Sequence, residues 1–489
     1  MGTDLAGRRL FMVGIKGTGM AALAEILRAQ GAEVSGSDTK ETFYTDALLR
    51  RAGVPFVEGF SADNLPPRAD LVIYSAAYDK GTHTELVEAQ RRGLPLQTYA
   101  EALGAFSRGR PAVAISGVHG KTTTTALLGT LLKAAQSDAT VLVGSAVSTF
   151  GGKAVYLGSS GAGGQGSGGG QGTGGGPDGL FVAETCEYRR HFLDFSPDVV
   201  LVTNVEADHL DYFRDEADVA DAFLTFVCRL PEGGRLVYCA DDSGARALAG
   251  RVASRRPDVR RIPYGAGAGG DFAVQVTSDA PPRFSMPILG REVTLRVPGR
   301  HNVLNAAAAV AAYYAALELT GEPAADAGVL VGALEAFAGT TRRAEVIGEA
   351  AGILFMDDYG HHPTAVAATL AGLKAFYPKR RLVVDFMSHT YTRTARLLAD
   401  FGRCFSSADL VFVNKIYASA REAFDGSIDG SRLAEEIARN HRAVQYVAEL
   451  EEAEAIIEAT LQQGDLFVTM GAGDNWRIAH RLYRAFSAT

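Results

Sequence analysis

A single short run limits what this chain can fold into more than any other. It reads Pro111-Ala-Val-Ala-Ile-Ser-Gly117-Val-His119-Gly120-Lys121-Thr122-Thr123-Thr-Thr-Ala-Leu-Leu. Residues 111–115 are apolar enough for a short buried strand, and residues 122–135 are rich in Ala and Leu, good helix formers. The glycine turn between them points backbone N–H groups at one spot, and the helix N-terminus adds partial positive charge there. Lys121 can reach outer phosphates, and Thr122 carries the hydroxyl that such loops offer to Mg2+. The pattern GxxxxGK[ST] would need glycine at 115, where Ile115 stands. Strand, glycines, Lys-Thr and helix nevertheless come in the required order.

At 489 residues the chain has room for about three domains of ~150 residues each. It is 47% hydrophobic and 21% charged, enough apolar material for sizeable cores. A net charge of −8 without a long basic run argues against a general nucleic-acid or membrane-surface binder. The four cysteines form no CxxC pair and no zinc-like spacing, so a reduced cytoplasmic protein is expected. No apolar run reads as a bilayer span, and the stretch Leu10–Ile15 is too short for a signal peptide.

The first segment, residues 1–108, opens with a strand at 9–14, the turn Gly14-Ile-Lys16-Gly17-Thr18-Gly19, and a helix to about Gln30. A second strand ends at Asp38, which is placed to hold a ribose or base edge, or else to face water. The turn reads G-x-x-G-x-G, a signal for some nucleotide diphosphate more than for NAD. A further strand over 70–75 brings Ser75 to the carboxyl edge of the sheet, where ligands of open α/β sheets bind.

In the second segment, 109–340, strands are expected at 140–143, 180–184, 198–203 and 234–239. Residues 157–179 are almost pure Gly, Ser and Gln and are expected to form a flexible insertion between strands. Glu184 ends one strand, and Glu206, Asp208 and His209 follow another; acids and a His at strand ends near a phosphate loop suit a Mg2+ site. Asn302 and Asn305, three apart at the start of an Ala-rich helix expected to reach Ala316, suit an adenine edge, or Asn302 is only an N-cap. The third segment, 341–489, alternates strands and helices as a second dinucleotide-like α/β domain. Its His361-His362 pair could bind a transition metal, but no third ligand has suitable spacing.

Taken together these motifs resemble the Mur ligases over nearly the full length. The matching runs are Gly14-Ile-Lys-Gly-Thr-Gly-Met with Ser35-Gly-Ser-Asp38; Gly117-Val-His-Gly-Lys-Thr-Thr-Thr-Thr125; Thr203-Asn-Val-Glu-Ala-Asp-His209; Gly299-Arg-His-Asn-Val-Leu-Asn305; Asp357-Asp-Tyr-Gly-His-His-Pro-Thr364; His389-Thr-Tyr-Thr-Arg-Thr394; and Met470-Gly-Ala-Gly-Asp474. They occur in the family's order. The resemblance implies three α/β domains: a Rossmann-like UDP-sugar domain (1–108), a central P-loop ATP domain (109–340) and a mobile Rossmann-like third domain (341–489). It implies joining of L-alanine to the lactyl carboxylate of UDP-N-acetylmuramate, driven by ATP with Mg2+ through an acyl phosphate. A monomer or homodimer is expected, with no nucleic-acid or membrane partner.

By the same resemblance, Lys121 steadies the phosphates, and Thr122, Glu184 and His209 hold the metal. Gly117, His119, Gly120, Thr123, Asn302, Asn305, Arg343 and Asp358 face the nucleotide. Gly14, Lys16, Gly17, Thr18, Gly19, Asp38 and Ser75 face the UDP sugar. Tyr359, His361, His389 and Arg393 look like the amino-acid pocket, with Arg393 the carboxylate partner. Lys16 departs from a glycine usual in the first loop; it adds a charge contact to the sugar diphosphate or merely tolerates the turn. Thr185-Cys186-Glu187-Tyr188 replaces an acid-rich run, with Glu187 a candidate to take over one of those roles, and Thr390 stands where an arginine is common. Three alternatives stay open: a ligase attaching a preformed tripeptide to the same sugar, an NAD-dependent oxidoreductase, and a P-loop regulatory protein without ligase chemistry.

Overall fold

The computed structural model of the chain describes residues 5–158, 179–209, 212–418, 422, 424 and 426–488. The glycine-rich tract expected over 157–179 lies almost wholly outside the described residues, between two strands of the central sheet.

The first sheet contains β1 (Arg9–Val13), β2 (Glu33–Asp38), β3 (Phe56–Glu58), β4 (Leu71–Tyr74) and β5 (Leu96–Thr98), all parallel, in the order β3-β2-β1-β4-β5. The central sheet is built from β6 (Ala112–Ser116), β7 (Ala139–Val147), β8 (Lys153–Leu157), β9 (Leu180–Glu184), β10 (Val199–Val202), β11 (Arg235–Cys239) and β12 (Arg260–Tyr264). Its order is β12-β11-β10-β6-β9-β7-β8, and only β8 runs antiparallel. A small antiparallel sheet, β13 (Gln275–Asp279), β14 (Pro282–Ser285) and β15 (Glu292–Thr294), follows. The last sheet has β16 (Glu345–Ala350), β17 (Ile353–Asp358), β18 (Arg381–Met387), β19 (Leu410–Val413), β20 (Val444–Tyr446) and β21 (Asp465–Gly471), ordered β16-β17-β21-β18-β19-β20, with β16 antiparallel.

Helices cover both faces of the parallel sheets, so their central strands read as unbroken apolar runs. Every residue of β6 (Ala-Val-Ala-Ile-Ser) and of β10 (Val-Val-Leu-Val) is buried. The chain crosses to opposite sides of β6, placing β9 on one flank and β10 on the other, and a crevice opens at their carboxyl ends. The Gly117 turn, Glu184 and Thr203 all leave the sheet there. The short strand β13 alternates exposed and half-buried residues, β16 is mostly half-buried or exposed, and neither carries a long apolar run, which is why sequence periodicity misses them.

The Ala-rich helix Arg300–Thr320 outlasts its expected end near Ala316, because Leu317–Thr320 continue it until Gly321 turns left-handed. By length and composition alone it could cross a membrane, yet 72% of that stretch is buried inside the fold, against the helix Lys121–Ala134 and β11. The helix Thr18–Ala29 buries Met20–Leu27, packing on β7 and β8 as well as its own sheet. The first two sheets and the small antiparallel sheet therefore share one continuous apolar cluster, whereas the last sheet has two clusters of its own.

A polar knot ties the third unit together. Asp385 in β18 is fully buried and accepts from Asn414 Nδ2 (3.0 Å) and Asn475 Nδ2 (2.9 Å), which also donates to Met470 O (3.1 Å). Burial pushes the Asp385 carboxyl up to about 7, against the pull of Asn475 and Asn414. The unfolded carboxyl ionises near 4, so the folded state holds more protons between those values and stability falls as pH rises through that window. Melting curves at pH 5 and pH 8 should show a larger drop for the native chain than for Asp385→Asn; equal drops would deny Asp385 this role.

Candidate active site

The phosphate loop is pinned from beneath by the segment after β10. Asn204 Oδ1 accepts N–H bonds from Val118 (2.9 Å) and His119 (2.8 Å), and Thr203 Oγ1 donates to His119 O (2.6 Å). Gly117 (φ 130°) and Gly120 (φ 81°) have left-handed backbones. A Cβ on Gly117 would overlap Thr203 Oγ1, and one on Gly120 would lie 2.5 Å from Asn305 Oδ1. Ile115, the departure from the P-loop pattern, is a fully buried residue of β6 in register with Glu184, so the turn begins only at Gly117.

Lys121 folds back over this turn. Its ammonium donates to Gly117 O (2.5 Å) and lies 3.0 Å from Glu187 Oε2. Burial opposes the charge, but Glu187, with Cys186 and Glu184 beside it, offsets this and holds the ammonium above its ordinary value. Glu187 responds in kind: burial opposes its charge, while Lys121 and His209 hold the carboxyl below the usual range. His209, at φ 50°, brings Nε2 to 3.5 Å from Glu187 Oε1.

Two cavities meet at this lysine. One, of about 440 Å³, is lined by the loop from Val118 to Thr123, by Asn302, Asn305 and Tyr264, and by Asp358 and His361 of the third unit. The other, of about 340 Å³, is lined by Thr18 and Gly19 of the first unit, by Glu184 and Cys186, and by Tyr359. Lys121, Thr122 and Arg343 line both. Arg343 Nη2 lies 3.4 Å from Thr122 Oγ1, so the third unit reaches across the junction.

Of the expected metal set, Thr122 lines both cavities, Glu184 the second and His209 the first. The Thr122 hydroxyl stabilises the Glu184 carboxylate, whereas His209 pairs with Glu187. Burial raises the Glu184 carboxyl above its ordinary range, although Thr122 and Lys121 oppose this. Its Oε2 is buried with no hydrogen-bond partner, which fits a carboxylate waiting for a cation. Thr122 and Glu184 are the residues that suit Mg2+.

The expected amino-acid residues form a contiguous chain. The Tyr359 and His361 rings are 5.3 Å apart, His361 and His389 5.8 Å, and Arg393 Nη1 lies 3.2 Å from His389 Nδ1. Arg393 is not free for an incoming carboxylate, however: its guanidinium bonds Asp208 Oδ1 at 3.0 and 3.2 Å, joining the third unit to the central one. Asn302 and Asn305 line the first cavity, but their amides are turned inward. Asn302 donates to Pro298 O (2.7 Å), and Asn305 donates to Asn302 (3.0 Å) while its Oδ1 buttresses Thr124 and Gly120. Asp358 accepts from Ala344 N and Gly360 N (both 2.7 Å) and holds the linker; its neighbour Asp357 faces away, bonded to Arg342.

Three family models span most of the chain: the Mur ligase family catalytic domain over 10–111, the Mur ligase middle domain over 179–313, and the Mur ligase glutamate ligase domain over 342–473. The UDP-N-acetylmuramate–L-alanine ligase of Treponema pallidum (strain Nichols) is 47% identical over 99% of this chain and 98% of its own.

The chain belongs to the Mur ligase family.

The crystal structure of the UDP-N-acetylmuramate–alanine ligase from Thermotoga maritima superposes with a TM-score of 0.76 at 25% identity, covering 98% of this chain and 99% of that one. A murein peptide ligase from Psychrobacter arcticus gives 0.69 at 25% identity, covering 99% of each. Membership accounts for the Lys121 junction, which the oxidoreductase alternative leaves unexplained.

Within this Mur ligase the first glycine turn is held differently from expectation. The Lys16 ammonium is fully buried, donating to Thr39 O (3.1 Å), Glu41 O (2.9 Å) and Glu58 Oε1 (2.9 Å), with Asp46 at 3.4 Å. It props its own unit. Asp38 caps the same turn, accepting from Lys16 N (2.6 Å) and Thr39 N (2.8 Å). Thr18 and Gly19 reach the second cavity, Gly14 and Gly17 shape the turn behind them, and Ser75 Oγ caps Ala77 N (3.3 Å) at the end of β4. Tyr44, which donates to Thr18 Oγ1 (2.8 Å), and Tyr99, which packs on Gly19, complete this wall; neither belongs to a motif, and only proximity in the fold reveals them.

Asp208 and Arg393 are both nearly buried, and cutting one partner of such a pair costs about 3 kcal/mol if the other stays buried. Asp208→Asn should therefore favour separation of the third unit, read as a larger radius of gyration in solution scattering. An unchanged radius would mean that the pair does not hold the units together.

Proposed function

We propose that the chain is an ATP-dependent ligase joining L-alanine to the lactyl carboxylate of UDP-N-acetylmuramate, with an acyl phosphate between the two half-reactions. The observation that carries this reading is the junction of two cavities at Lys121, Thr122 and Arg343. The 47% identity to the Treponema pallidum L-alanine ligase supports the choice of substrates within the family.

ATP takes the cavity under the phosphate loop, and the sugar acid enters from Thr18 and Gly19. Lys121 then leaves Glu187 for the outer phosphates and stabilises charge as the γ-phosphoryl passes to the carboxylate. Arg343 adds a second cation from the third unit, and the rigid loop supplies alignment. Mg2+ held by Thr122 and Glu184 would supply further neutralisation of phosphate charge. The amine of alanine attacks the activated carbonyl carbon, the C–O bond to phosphate breaks, and inorganic phosphate leaves. The Tyr359, His361 and His389 cluster lies beside the junction to receive the amino acid, and Arg393 serves its carboxylate once released from Asp208.

Phosphate release from ATP plus UDP-N-acetylmuramate, scanned over L-alanine, glycine, L-serine and the tripeptide, tests the reading. L-Alanine should drive it; response to the tripeptide alone would assign the chain to recycling. Lys121→Ala should lower kcat by a factor of at least about 10² while the UDP-sugar still binds; near-native kcat would refute its role.

Because burial raises the Glu184 carboxyl, it is protonated at a higher pH than an ordinary glutamate. Only its anion holds a cation, so kcat/KM for ATP should fall as pH drops, with an inflection above 4.5. Glu184→Gln should have low activity without that acid limb, and persistence of the limb would assign it to another group.

A further inference from the structure

Sequence alone left the His361-His362 pair without a third ligand. The fold supplies two, from elsewhere in the chain. His119 of the phosphate loop, Glu206 of the segment after β10, and His362 at the N-cap of the helix Pro363–Phe376 each offer one donor atom, all within 4.8 Å of one another. His119 Nε2 is 2.9 Å from Glu206 Oε1, and the His119 and His362 ring centres are 4.9 Å apart. His362 is only 6% exposed, and its Nε2 makes no hydrogen bond. Its Nδ1 faces Thr364 N–H at 3.3 Å, and Glu206 Oε2 accepts from Thr364 Oγ1 at 3.2 Å.

Burial, then the neighbouring His119, lowers the His362 imidazole, which favours the neutral form that binds metals. Burial opposes the Glu206 charge, but His119, His362 and the Thr364 hydroxyl together keep its carboxyl below the usual range. The group is separate from Thr122–Glu184 and from Glu187–His209.

We propose that His119, Glu206 and His362 form a binding site for a divalent transition ion of the zinc class, which staples the third unit to the central one. Two imidazoles and a carboxylate are a donor set that such an ion prefers and that Mg2+ does not. All three residues line the nucleotide cavity, so the remaining coordination position opens toward it. Ligation through Nε2 of His362 moves that ring's proton to Nδ1, at the loss of the long Thr364 contact. The ligands come from two units, so a bound ion holds the units together and slows the separation that turnover needs.

The test uses the full, nucleotide-free chain titrated with Zn2+ alone against a chromophoric chelator, and with Co2+ alone for its visible absorption. About one equivalent should bind. Binding should weaken about tenfold or more in Glu206→Gln and in His362→Asn, whose asparagine can still cap Thr364 N–H, and should be unaffected in His209→Ala. Circular dichroism checks each variant's fold, and if one fails to fold the other decides. The proposal is overturned by no binding, by equal binding in the folded variants, or by loss of binding in His209→Ala. That last result would place the ion at Cys186, Glu187 and His209, the other group of suitable donors among the described residues.

Discussion

The ion pair between Lys121 and Glu187 is the constraint on which the rest of the site depends. A buried ammonium without a counter-charge would lose its proton or unfold its surroundings. Glu187 keeps Lys121 charged in the absence of phosphate, and His209 keeps Glu187 charged in turn. The pair can exist only because β6, β9 and β10 end side by side, so that the loop, the acids and the His arrive at one crevice. Glu184 sits beside this network without a partner for one oxygen, and burial leaves it short of stabilisation. A triphosphate with its divalent ion would satisfy both groups together: the lysine would exchange one anion for another, and the glutamate would gain a cation.

Much of this was legible in the sequence because the relevant signals are local. A strand, two glycines, Lys-Thr and a helix specify the phosphate loop within about twenty residues. The parallel strands announce themselves as continuous apolar runs, as β6 and β10 do. What the sequence hid is of two kinds. Short, half-exposed strands such as β13 and β16 have too little apolar periodicity to stand out. Partner choice was also hidden. Lys16 looks like a ligand-facing cation in a glycine turn, but Glu58, Asp46 and two carbonyls surround it from residues 39–58. Arg393 looks free until Asp208, 185 residues earlier, is found beside it.

Several positions expected to touch substrates also hold other groups in place. Asn305 buttresses the turn at Gly120, Asp358 ties Ala344 and Gly360, and Asp38 caps the first glycine turn. These roles are compatible with a place in the cavity wall, since a wall that must align three reactants needs its own support. The resulting site has a rigid floor in the central unit and a roof contributed by Arg343, Asp358 and His361.

The distribution of apolar packing decides which part of this assembly can swing. The first two units share one dry core, and prising them apart would wet a large hydrocarbon surface. The third has its own interior and meets the others largely through ionic and hydrogen-bonded contacts such as Asp208–Arg393 and Arg343–Thr122. The connector at 339–344 already contains three left-handed residues, Gly339, Arg342 and Ala344, a cranked backbone that can be rewound cheaply. Water can replace each of those polar links one at a time. The roof can therefore lift like a gasketless lid, with little grease exposed at each opening stroke.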